Sequence, residues 1–266
     1  LNLKSATGRE LFLRLAETAA VVIEAFRPGV VARLRVDYAA VRARNPRIVY
    51  VSISAFGQTG PLVDRPAHDL AVEAMCGLLS LNVDASGKPV LPAMPAGDML
   101  AATLALAGIS MALYRRTITG AGDYLDLAMM DSILAAMPNS MGAAFGEGRA
   151  PVPAEERIWG GNAFYRIYET ADGAHVVLGG VEMKFVQNLL GALGREDLVP
   201  LCTRPGAGQA PVVEFLTQTF RGRTFGREPA MPRLEAPAHG ADTDAILAEL
   251  GLDAAARARL RAEGVC

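Results

Sequence analysis

From Met99 to Tyr114 the chain carries no charge, with one acid, Asp98, at the head of the run and Arg115-Arg116 at its tail. The run reads Met-Leu-Ala-Ala-Thr-Leu-Ala-Leu-Ala-Gly-Ile-Ser-Met-Ala-Leu-Tyr. Such a stretch must be covered. Pro95-Ala96-Gly97 before it and Thr119-Gly120-Ala121-Gly122 after it predict a buried helix. At 16 residues it is shorter than a membrane span, and its mid-chain position is unlike that of a signal peptide. Asp98 falls at the positive end of that helix, where a carboxylate is favoured. A carboxylate there can act as a nucleophile or a base, or it can be only an N-cap.

The chain has 266 residues, enough for a sizeable core and one or two domains. Its 26 basic and 28 acidic residues leave no basic footprint, which excludes a nucleic-acid binder. A 51% hydrophobic composition implies much buried surface, part of it in an oligomer. Cys76, Cys202 and Cys266 show neither metal spacing nor a disulfide framework, which points to a reducing, cytoplasmic setting. The opening Leu1-Asn2-Leu3-Lys4-Ser5 runs straight into helix and reads as a chain entered partway, with earlier sequence expected upstream.

Periodicity predicts an amphipathic helix over 7–26, broken by Phe26-Arg27-Pro28-Gly29. A short helix capped by Asp37 follows, and Asn45-Pro46 stops it. The β-branched Ile48–Ser54 predicts a buried strand, and this helix–turn–strand rhythm indicates an α/β fold with a parallel sheet. A turn-rich loop at Phe56–Pro61 leads through Ala67-His68-Asp69 to an apolar helix over Leu70–Leu81. Beyond the Asp98 helix, a strand is expected at Asp123–Leu127. Asp131 should cap a helix that Pro138 ends, and 146–162 reads as a linker. Two strands, Ala163–Tyr168 and His175–Leu178, meet across Ala171-Asp172-Gly173. Helices are expected over Glu182–Leu193 and near 211–220, 242–250 and 253–263, whereas 221–240 is poor in pattern.

Several side chains have the chemistry for catalysis or binding. His68 can exchange protons near neutrality, or it can be a helix-start histidine satisfied by backbone. Asp69 can orient His68 or cap the helix it begins. Glu182 follows Gly179-Gly180 at a helix start. It can partner a histidine or substrate, or simply complement the helix dipole. Arg27 and Arg33 flank the Phe-Arg-Pro-Gly break, where they can clamp phosphates or be ordinary surface charge. Met75, Met94 and Met99 suit a greasy pocket or an ordinary core. No Gly-x-Ser-x-Gly elbow, zinc-ligand pair, P-loop or GxGxxG fingerprint occurs.

A set of segments in fixed order resembles the class III CoA-transferase (CaiB/BaiF) superfamily. They are Phe26-Arg27-Pro28-Gly29-Val30, Arg44-Asn45-Pro46-Arg47-Ile48-Val49-Tyr50 and Ser54-Ala55-Phe56-Gly57-Gln58-Thr59-Gly60-Pro61. The Asp98 helix with Tyr114-Arg115-Arg116-Thr117 follows, and then Thr119–Met129, Trp159–Tyr165 and Ala171-Asp172-Gly173. The resemblance covers roughly residues 1–220. It implies a Rossmann-like large domain with a parallel sheet plus a smaller α+β domain, in an interlocked homodimer of ring-shaped chains. The implied division is 1–150 for the large-domain core, 151–220 for the smaller domain, and 221–266 for a shortened segment and a helical tail returning to the large domain.

By the same resemblance, Asp98 is the catalytic aspartate. It attacks a CoA thioester to give a mixed anhydride, CoA returns to form an aspartyl thioester, and an acceptor carboxylic acid takes the CoA. Arg27 and Arg33 match positions that contact CoA phosphates. No permanent cofactor is implied, because coenzyme A enters as a substrate thioester. The α-methylacyl-CoA racemase branch offers an alternative. Its His-Asp pair falls on His68-Asp69 and a glutamate matches at Glu182, so that His68 and Asp98 would exchange an α-proton. Met94 stands where that branch has asparagine, which favours the transferase. The family's first strand does not precede Leu1, and 221–240 is shorter than expected, so a truncated, inactive member is a further alternative.

Overall fold

The computed structural model describes residues 1–84, 86–153, 155–224, 244–245, 248 and 253–262. Most of the helix expected at 242–250, most of the segment 221–240 and Cys266 lie outside the described residues.

Three short strands build the sheet, the first two rich in β-branched residues: β1 (Val21–Glu24), β2 (Val49–Ser54) and β3 (Asp123–Ala128). All pairings are parallel, with β2 in the centre. Val21 faces Val49 on one side, and Val49 faces Asp123 on the other. Alternation along β2 sends its side chains to two layers. Val49 and Val51 pack with Ala105 and Ala112 of the long helix α6 (Ala96–Thr119). Ile48 and Tyr50 pack with Ala16 of α1 (Ala6–Thr18) and Val41 of α3 (Tyr38–Arg44). A four-residue helix, α2 (Val30–Arg33), lies between β1 and α3. Because the strands run in one direction, Glu24, Ser54 and Ala128 end at one edge, the place where open parallel sheets bind ligands.

The sheet and the mixed α/β class agree with the sequence reading, but several boundaries do not. The first helix stops at Thr18, and residues 21–24 are a strand rather than helix. Nothing between 18 and 21 breaks a helix. Pairing of Val-Val-Ile with β2 overrides the helical periodicity. The apolar helix expected over 70–81 is two helices, α4 (Asp69–Met75) and α5 (Leu78–Leu81), because Gly77 takes a left-handed φ of 87°. Asp131 lies in the first turn of α7 (Met129–Ala136) rather than at its cap. Pro138 ends this helix as expected, just after its cap residue Met137, and it also starts a new one. It opens α8 (Pro138–Glu147), where its missing N–H costs nothing.

α6 is longer than its uncharged run. It has 24 residues and by length and composition could cross a bilayer. It packs along β2, β3, α4 and α7, with small residues Ala101, Ala105 and Ala112 turned inward. Gly122 fixes the return to β3. A Cβ there would sit 1.9 Å from the Ile48 carbonyl oxygen, so only glycine fits.

The chain divides into two compact units, residues 1–166 with 204–209 and residues 167–203 with 210–266. Residues 151–166, which the sequence reading set with the smaller domain, group with the first unit. The second unit contains most of a two-stranded ribbon of β4 (Tyr165–Glu169) and β5 (His175–Gly179). It also holds α9 (Met183–Ala192), a 3-10 segment (Glu196–Thr203), α10 (Ala210–Arg221) and α11 (Ala254–Ala262). Its core is formed by side chains such as Val186, Leu190, Leu216 and Phe220.

Candidate active site

A cavity of about 330 Å³ opens in the first unit at the carboxyl edge of the sheet. The segment after β1 supplies Phe26 and Arg27, and the end of β2 supplies Ser54 and Phe56. The loop before α4 supplies His68 and Asp69, the head of α6 supplies Asp98, and Met129 closes one side. Asp98, His68, Asp69 and Arg27, chosen from sequence, therefore share one cavity.

Asp98 is not the cap of its helix. Pro95 holds the cap position without a side-chain bond, and Asp98 sits in the first turn. Two of the free N–H groups there are satisfied from α4. Asp69 Oδ1 accepts the Asp98 N–H at 3.0 Å, and a Glu73 oxygen, Oε1, accepts the Ala96 N–H at 2.8 Å. Asp98 is exposed, and among the described residues its carboxylate makes no hydrogen bond. An anion at that position is supported by the positive end of a 24-residue helix.

Asp69 therefore caps a helix other than the one it begins. His68 occupies the cap position of α4 with an extended backbone, and its imidazole makes no capping bond. The imidazole is exposed on the cavity wall. Arg33 ends α2 and is exposed, with a guanidinium nitrogen 3.2 Å from where a Cβ on Gly29 would lie. It is not among the residues lining the cavity that Arg27 lines. Glu182 belongs to the second unit, where it is the exposed residue preceding α9. Its backbone carbonyl accepts the N–H groups of Phe185 and Val186. Met75, Met94 and Met99 do not line the cavity; the methionine that does is Met129.

The sequence reading passed over Glu73. Its side chain is completely buried, and burial raises its carboxyl above the ordinary glutamate range. The Ala96 N–H works against that rise, and the charge of Asp69 adds to it. One signal was available. Glu73 is the only charge between Leu70 and Leu81, four residues after Asp69, and so on the same helix face.

The sequence pattern of CoA-transferase family III matches residues 1–227. The chain is 38% identical over 152 residues to the acetyl-CoA:oxalate CoA-transferase of Acetobacter aceti, covering 57% of this chain and 39% of that protein. It is 32% identical over 205 residues to the α-methylacyl-CoA racemase of Homo sapiens, covering 75% of this chain and 53% of the racemase. Among solved structures, the protein Rv3272 of Mycobacterium tuberculosis superimposes with a TM-score of 0.70 at 26% identity, covering 84% of this chain and 60% of that one. The chain thus spans 39% and 53% of the two curated relatives.

Proposed function

The chain belongs to CoA-transferase family III, and from that premise we propose that it moves coenzyme A between an acyl-CoA donor and a carboxylic acid acceptor through Asp98. One observation carries the reading. Asp69 and Glu73 close the start of α6, so the Asp98 carboxylate is left free at the wall of the cavity.

In this mechanism an Asp98 oxygen attacks the thioester carbonyl carbon, the C–S bond breaks, and CoA leaves as the thiolate. The product is a mixed anhydride between Asp98 and the acyl group. The thiolate then attacks the aspartyl carbonyl, which forms the aspartyl thioester and releases the donor carboxylate. The acceptor carboxylate repeats the two steps in reverse order and leaves with CoA. Arg27, on the same wall, binds a phosphate of the thioester substrate, and Arg33 extends that basic stretch outside the cavity. Asp69 holds the Asp98 amide.

Incubation with acyl-CoA and hydroxylamine tests this. A hydroxamate on the peptide containing Asp98, found by mass spectrometry, is the expected result. An unmodified peptide after turnover conditions overturns it.

A second reading follows from His68, whose free imidazole shares the cavity with Asp98. The two groups would exchange the α-proton of a 2-methylacyl-CoA. That activity requires deuterium from heavy water at the α-carbon with no acceptor acid present, and absence of exchange removes it. The third reading, an inactive member, requires that the purified chain fail to bind CoA.

The proposal includes a homodimer and a cytoplasmic location, with no permanent cofactor and no nucleic-acid or membrane partner. Support for the dimer comes from α6, where Leu106, Met111, Tyr114 and Ile118 are 65–72% exposed.

A further inference from the structure

Asp69 and Glu73 lie one turn apart on α4, so both carboxyls point from one helix face to the start of α6. Each accepts one α6 amide, Asp98 N–H on Asp69 and Ala96 N–H on Glu73. The second Glu73 oxygen, Oε2, is buried and receives no donor. Among the described residues neither acid is ion-paired.

The helices packed against Glu73 place no cation on it, and Arg27 and Arg65 line the cavity that Asp69 borders on its other side. α6 carries only Asp98 at its head and Arg115 and Arg116 at its far end. α7 meets α4 with Met129 and Ile133, and its Asp131 is exposed. α5 has no charged residue. On α4 itself the remaining titratable neighbour is the Cys76 thiol, and His68 before it is exposed on the cavity wall.

We infer that Glu73 is held as a neutral carboxylic acid that donates its proton to Asp69, and that this acid pair is the positioning device for Asp98. A bare Glu73 carboxylate, buried without a cation beside the half-buried Asp69, is repelled by it, and one proton converts the repulsion into a hydrogen bond. Burial, the charge of Asp69 and hydrogen bonding to Asp69 all favour the protonated form of Glu73. Asp69 is then fixed from both sides, by the Glu73 proton and by the Asp98 N–H. Gly97 lets α6 close onto it, because a Cβ there would lie 2.9 Å from Asp69 Oδ1. Glu73 does not reach the cavity and acts through Asp69 and the Ala96 amide.

This inference deepens the transfer reading and rests on it for its kinetic arm, whereas its spectroscopic arm needs no substrate. Infrared difference spectra of wild type against Glu73→Gln at pH 7 are expected to show the C=O stretch of a neutral carboxylic acid in wild type alone. Absence of that band overturns the inference, whether or not the chain transfers CoA. In kinetics, Glu73→Gln keeps both hydrogen bonds of the protonated acid and is expected within about twofold of the wild-type kcat. It should lack the fall in kcat that wild type shows as Glu73 ionises at alkaline pH. Glu73→Ala, confirmed as folded by circular dichroism, is expected to lose on the order of 100-fold through misplacement of Asp98. An alkaline limb unchanged in Glu73→Gln, or a glutamine variant as slow as the alanine variant, overturns the positioning role.

Discussion

Asp69 Oδ1 accepts the backbone N–H of Asp98 at 3.0 Å, so an acid on α4 closes the helix on which the proposed nucleophile stands. Capping and the proposed reactivity are thereby divided between two aspartates that are 29 residues apart. A carboxylate that capped its own helix would be tied to backbone donors and turned away from a substrate.

That division predicts separable effects of Asp98→Ala. The side chain is exposed and makes no hydrogen bond among the described residues, so its loss should change stability by less than about 0.5 kcal/mol. CoA transfer should fall by about 1,000-fold or more if the group is the nucleophile. Thermal melting and a transfer assay on one preparation check both halves. A large drop in melting temperature would mean that Asp98 holds the helix after all.

Gly97→Ala should disturb the same point from the backbone side. The added methyl would meet Asp69 Oδ1 at 2.9 Å, Ile133 Cδ1 at 3.2 Å and Met129 Cε at 3.3 Å. Overpacking of this kind costs about 1–3 kcal/mol. Because the displaced atom holds the Asp98 amide, the rate should fall further than the stability loss explains, on the order of 100-fold. Activity per folded molecule, with the folded fraction taken from urea titration, separates the two effects.

Arg27 and Arg33 differ in their relation to the cavity. Arg27 lines the cavity, whereas Arg33 is exposed beside Gly29. Arg27→Ala should raise KM for acyl-CoA about tenfold with kcat nearly unchanged, as expected for a contact made equally in ground and transition states. The increase should shrink at high salt. Arg33→Ala should have the smaller effect in the same titration.

How far the site was readable follows from what each residue needs around it. Asp98 and His68 announce themselves through local context, an acid before an uncharged run and a histidine at a helix start. β2 is equally plain, because Val49, Val51 and Ile53 recur in a short stretch that is buried on both faces. β1 was not legible. Val-Val-Ile-Glu continues α1 without a breaking residue, and only pairing with β2 makes it a strand. Glu73 was hidden for a related reason. One acid in an apolar helix looks like a solvated edge until α6 packs over it. The capping partner of Asp98 is a tertiary contact and has no signature near Asp98 at all.

Two glutamates should give stability opposite dependences on pH. Burial raises the Glu73 carboxyl, so between the ordinary glutamate value and its folded value the native state holds a proton that the unfolded chain has lost. Stability then falls as pH rises through that window. The Arg149 guanidinium, 2.7 Å away, lowers the Glu156 carboxyl, so its contribution is present above the ordinary value and is lost as pH falls. Urea midpoints from pH 2.5 to pH 8 should show the alkaline decline flattened in Glu73→Gln and the acid decline flattened in Glu156→Gln. The reverse assignment would contradict both environments.

Asn45 gives a test of the scaffold that leaves the cavity untouched. Its buried Nδ2 donates to the carbonyls of Ala16 and Ala19, both at 3.0 Å, and its Oδ1 accepts the Arg47 N–H at 3.0 Å. One side chain thus satisfies the end of α1, the turn after α3 and the entry to β2. Asn45→Ala leaves the buried Ala16 carbonyl without this donor and should destabilise the protein by about 1–3 kcal/mol. The urea midpoint should drop with the slope unchanged, since the surface exposed on unfolding stays the same. Activity per folded molecule should hold, because Asn45 lies at the amino end of β2 and the cavity lies at its carboxyl end. A loss of rate without a loss of stability would show that this end of the sheet is coupled to Asp98, which the packing described above does not provide.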